Sequence, residues 1–175
     1  MPRAFVAVVL LAAGCGGGAS FSDSVYRDRE ARYRVGAVGP EWRRIGIDDN
    51  DLAWHDERTG AVVSVNATCD PYQDVPLSAL TNHLLIGFTD REWRSSEEVP
   101  LDGREALRSH VMARLDGVPR ELLLYVLKKD QCTYDFALIA PPGDPFRASE
   151  AEFERLVAGF TTRVESGGAE RAGGS

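Results

Sequence analysis

Three cysteines, three histidines and one acidic turn hold most of the chemistry available to this 175-residue chain. Cys69 and Cys132 form an even pair once Cys15 is set aside. In an oxidising compartment such a pair reads first as a disulfide. It would close a loop of about 63 residues and contribute around 4 kcal/mol in the chain-entropy picture. Two buried free thiols and a metal site are the alternatives. A zinc site would need two more ligands from His55, His83 and His110, which do not have ligand spacing. Cys69 with His83 could form a thiol–imidazole pair for nucleophilic catalysis, but a bridge at Cys69 would remove the thiol. No serine lies in a G-x-S-x-G turn, and no glycine-rich phosphate loop follows a strand. The sequence therefore points to no catalytic residue, no metal and no cofactor.

The acidic turn Asp48-Asp49-Asn50-Asp51, with Asp56 and Glu57 nearby, invites a calcium reading. Asp48 and Asn50 fit alternate oxygen donors, but Leu52 stands where the next donor should be. The turn reads better as a solvated charged loop. Trp42, Trp54 and Trp93 are the candidate contact aromatics, because tryptophan offers large area and a polar handle at interfaces. In a domain with few other aromatics, most of them are expected in the core.

Cys15 carries a different chemistry. Arg3 places one positive charge ahead of Ala4–Ala13, ten residues without a polar side chain, and Ala13-Gly14 precede the cysteine. The run is too short to span a bilayer and fits the apolar core of an export signal. These residues resemble a bacterial lipoprotein signal with its lipobox, with Ala12 where leucine is usual. The resemblance implies removal of residues 1–14 and lipidation of Cys15 with two or three acyl chains. One acyl chain alone holds a protein only marginally, whereas two or more anchor it firmly. Gly16, rather than Asp, after the cysteine implies the outer membrane, facing the periplasm.

The remaining elements must form a body for that anchor. The net charge of −7 argues against nucleic acid, which needs a basic footprint. Residues 15–31, glycine-rich and then polar, read as a flexible tether. Residues 32–163 read as one α+β domain, and 164–175 as a disordered glycine-rich tail. Tyr33 and Val35 alternate with arginines as in a half-buried strand. Leu52–Asp56 and Ala61–Thr68 flank a Gly60 turn as a hairpin. Pro76-Leu77-Ser78 opens a helix whose buried face is Leu80, Leu84, Leu85 and Phe88. Asp102-Gly103 and Asp116-Gly117 are hairpin turns. Leu122–Leu127 is apolar on both faces, as in a central strand covered by helices. Cys132–Ala140 is the last strand. Ser149, with Glu152 three residues on, reads as a capping box opening a helix that buries Phe153, Leu156, Val157 and Phe160.

This order predicts a mostly antiparallel sheet with packed helices. It resembles the PsbP-like family of folds, including small lipoproteins of the DcrB type. The resemblance rests on Tyr33-Arg34-Val35 leading to Pro40-Glu41-Trp42, on the turn Leu101-Asp102-Gly103-Arg104-Glu105-Ala106, and on the closing helix through Phe153 and Phe160. It implies a non-catalytic accessory or binding protein. The expected partners are the lipid bilayer, through acylated Cys15, and an envelope protein. A small-ligand binder is the alternative, and a hydrolase a distant third.

Overall fold

A computed structural model describes residues 18–48, 50–70 and 74–164. The elements are β1 (Ser20–Ser22), β2 (Val25–Arg27), β3 (Arg32–Arg34), β4 (Trp42–Ile45), β5 (Leu52–Asp56), β6 (Ala61–Cys69), α1 (Leu77–Leu84), β7 (Phe88–Leu101), β8 (Arg104–Leu115), β9 (Val118–Lys129), β10 (Cys132–Ala140) and α2 (Asp144–Ala158). A seven-stranded antiparallel sheet runs β4-β5-β6-β10-β9-β8-β7, and a three-stranded ribbon runs β1-β2-β3. The fold is α+β, as the order of elements predicts. Cys15 and the expected signal lie outside the described residues, as does the expected tail from residue 165.

The alternation along β9 explains the layering. Leu123, Tyr125 and Leu127 face the larger core, which also holds Phe153, Leu156 and Phe160 beneath α2. Leu122 and Leu124 face a smaller core with Leu85, Phe88 and Val111 on the α1 side. Burying both faces of β9 requires a helix on each side. The meander is set by its turns. Asp102-Gly103 and Asp116-Gly117 have positive φ at both positions, the geometry that two-residue hairpins need and that Asp-Gly accepts.

Three expectations change. The first is the extent of the tether: residues 20–31 belong to the folded body. Val25, Tyr26 and Ala31 are buried, and β2 pairs with β3. Three-residue strands carry little local signal, so tertiary packing decides them. The second is the start of α2, which begins at Asp144 with Pro145 in its first turn, where a proline's missing N–H costs nothing. Ser149 and Glu152 are buried inside that helix. Ser149 Oγ donates to the Pro145 carbonyl, and Glu152 accepts from Gly39 N–H at 2.5 Å. The third is α1, which is only eight residues long and leaves Phe88 to open β7. Gly87, at φ 89°, turns the chain between them.

The chain after β3 crosses the end of α2 at backbone contact. Gly36 N–H donates to the Leu156 carbonyl at 2.8 Å. A Cβ on Gly159 would lie 2.4 Å from Gly36 Cα. Two glycines are what permit the approach. Thr161 then bridges to Arg34, tying the C-terminal end to the N-terminal ribbon.

Candidate functional site

Cys69 and Cys132 sit directly opposite each other on β6 and β10 and form a disulfide with an S–S distance of 2.04 Å. Cys69 is therefore no thiol nucleophile, and the imagined pair with His83 has no basis. The histidines are apart in role. His55 is half-buried on β5. His110 Nε2 lies 2.9 Å from Glu121 Oε1, with its ring stacked on Phe146. His83 lies on α1. Among the described residues no group of three or more His, Cys, Asp or Glu is arranged to hold a metal.

The acidic turn is less uniform than a solvated loop. Asp51 is drawn inward, and its Oδ2 accepts from Tyr33 Oη at 2.9 Å and from Ala67 N–H at 3.0 Å. Burial pushes its carboxyl above the usual carboxylate range, against the pull of the tyrosine hydroxyls. Asp56 is also buried. It accepts from Arg58 N–H at 2.9 Å and is held below the usual range by its Arg58 and Thr59 hydrogen bonds, which outweigh its burial. Neither carboxylate is left open for an ion.

The tryptophans divide. Trp42 and Trp54 are buried, and the Arg44 guanidinium lies 5.3 Å from the Trp54 ring centroid. They are core, not contact surface. Trp93 is 42% exposed on β7, which forms one edge of the sheet. Most side chains of that 14-residue strand are exposed. Its pairing with β8 is irregular between Thr89 and Glu92 and again just after Trp93. Such irregularities twist an edge strand away from indiscriminate pairing while leaving a large side chain available.

A second feature lies under α1. Asn66 pairs with Asp135, and Thr68 with Thr133, across β6 and β10. Opposed residues project to the same face, so four polar side chains form a ladder on interior strands. Together with Leu80, His83 and Leu84 of α1 and Val126 of β9, three of them, Thr68, Thr133 and Asp135, line a cavity of about 130 Å³. Burial pushes the Asp135 carboxyl up to about 7, although a hydrogen bond with Asn66 favours its ionised form, and the charge of Asp51 adds to the rise. The sequence does contain a signal for this site: Thr133 and Asp135 interrupt an otherwise apolar strand at alternate positions, and Asn66 and Thr68 repeat the pattern on its neighbour.

No family model matches the chain, and no curated protein matches it. Solved structures do. The PsbP protein CyanoP of Synechocystis sp. PCC 6803 aligns over 89% of this chain and 98% of its own, at 14% identity and TM-score 0.53. LpqN of Mycobacterium tuberculosis, described as involved in cell envelope biogenesis, aligns over 82% of this chain and 88% of its own, at 11% identity and TM-score 0.52. The chain has a PsbP-like fold. Among the described residues no helix is long and apolar enough to cross a membrane.

Proposed function

We propose that this chain is a non-catalytic accessory lipoprotein of the cell envelope, anchored through acylated Cys15 to the outer membrane and facing the periplasm, whose domain docks on another envelope protein. The anchor reading rests on the charge, apolar run and small residues that lead to Cys15. The Cys69–Cys132 bridge suits an oxidising compartment. The envelope role described for LpqN is consistent with this placement.

The observation that carries the docking reading is Trp93. It is the one tryptophan of the three that is exposed, and tryptophan, with tyrosine and arginine, is enriched among binding hot spots. A photoreactive residue placed at position 93 should give a discrete cross-linked protein in intact cells. The same residue at Arg43, exposed on the opposite edge strand β4, should not. No adduct at 93, or the same adducts at both positions, would refute docking through this edge. Loss of fatty-acid labelling in Cys15→Ala tests the anchor separately.

A further inference from the structure

We propose that the cavity beneath α1 is a binding site for a primary ammonium group carried on a short unbranched alkyl chain, with Asp135 as its counter-ion.

The chemistry of the lining selects this ligand. Asp135 and two threonine hydroxyls, from Thr68 and Thr133, line one side of the cavity and can all accept hydrogen bonds. An ammonium group brings three donors and a positive charge. Leu80, Leu84 and Val126, beside His83, line the rest, and the three apolar side chains suit a hydrocarbon stem. A divalent metal ion would find only one anionic ligand there, Asp135, beside two neutral hydroxyls and His83, which leaves half its charge unmatched next to apolar walls. A neutral alcohol would leave a half-buried carboxylate without a cation.

Asp135 also has the mark of a residue kept at a cost to stability. It stands on an interior strand, and its neighbour across β6 is an amide, not a cation. The charged groups around it are few. His83 comes from α1, and β6 contributes only uncharged groups to the cavity. Lys128 on β9 stands opposite Thr133, on the face that also carries Asp135, and lines the neighbouring hollow, which shares Thr133 with this cavity. Asp51, at the head of β5, adds a negative charge that opposes ionisation of Asp135. Burial of an ionisable group in a cleft with its titration displaced is a common signature of a working site.

The two sources of such a group are a free alkylamine and the side chain of a lysine. Amide NMR spectra of the labelled full chain test the shared chemistry. n-Butylammonium chloride at pH 8 should give saturable shifts at Asn66, Thr68, Thr133 and Asp135. With a carboxyl that titrates near 7, affinity should fall about tenfold at pH 6, since each pH unit below the pKa lowers the ionised fraction nearly tenfold. His83→Gln should keep that pH dependence, which separates Asp135 from the imidazole. Asp135→Asn, with its fold checked in the same spectra, should weaken binding at least tenfold. n-Butanol and butyrate should leave these residues unmoved. Nα-acetyl-lysine methylamide binding as tightly as butylammonium would make a lysine side chain the ligand; much weaker binding would make it a free amine. The proposal is overturned by no saturable shift up to ~50 mM amine, weaker than any specific site of interest, by equal shifts with n-butanol, by affinity that does not change with pH, or by full binding in Asp135→Asn. A Trp93 result in either direction leaves this site unaffected.

Discussion

Tyr33 Oη donates a 2.9 Å hydrogen bond to Asp51 Oδ2, joining the N-terminal ribbon to the loop before β5. Tyr33 is fully buried and belongs to the main core. Its ring stacks on Tyr26 at 5.1 Å and meets Tyr134 edge-on at 5.7 Å. Asp51 also accepts from Ala67 N–H of β6, so one carboxylate holds three parts of the chain together.

Tyr33→Phe keeps the packing and deletes the donor. Leaving a buried carboxylate oxygen short of a partner costs about 1–3 kcal/mol, which for a domain of this size is a fall in Tm of roughly 3–10 °C. Thermal unfolding followed by circular dichroism checks it. An unchanged midpoint would mean that the ribbon does not depend on this bond.

Asp135 should make stability fall with pH. Burial raises its carboxyl from an ordinary 3.8 to about 7 in the fold. The folded form thus keeps a proton that the unfolded chain has already released. The contribution is fully present below about pH 4 and is lost as pH rises through 7. Asp135→Asn removes that dependence. It should raise Tm at pH 8 by on the order of 10 °C, since a carboxyl raised from 3.8 to about 7 corresponds to about 4 kcal/mol, and change little at pH 4. A variant that is destabilised equally at both pH values would contradict this.

The bridge between Cys69 and Cys132 spans 63 residues of sequence. Replacing both cysteines by serine should cost about 2–5 kcal/mol, as loss of a native bridge does in small exported domains. Thiol titration of the denatured, unreduced protein should find neither Cys69 nor Cys132 reactive. Two titratable thiols from these positions would reopen the metal and catalytic readings.

Much of the meander is legible in the sequence because each signal is local. Asp102-Gly103 and Asp116-Gly117 announce their turns, and the unbroken apolar run Leu122–Leu127 announces a strand covered on both faces. What local signals miss is whatever distant contacts decide. Ser149 and Glu152 have capping-box spacing, yet one reaches Thr59 and the other Gly39. Val25 and Tyr26 lie in a polar stretch and are buried only because β3 and the main core receive them. Trp42 and Trp54 cannot be told from Trp93 by residue type, since only the neighbours of β4 and β5 cover them. Asp135 by itself looks like an outward-facing strand residue. Its meaning appears when β6 supplies Asn66 and Thr68 beside it and α1 lies across them.

The docking of β1 and β2 onto the body shortens the leash. Were residues 15–31 all free, an extended chain could hold the domain roughly 50 Å or more from its anchor. With Ser20 already in β1, five steps separate Cys15 from the first strand. That is a reach of about 18 Å at full extension. If Cys15 carries the lipid as proposed, the domain rides against the headgroups and turns like a bead on a short stem. Any protein it meets must then present its matching surface within a few tens of ångströms of the bilayer, a distance scale set by so short a stem.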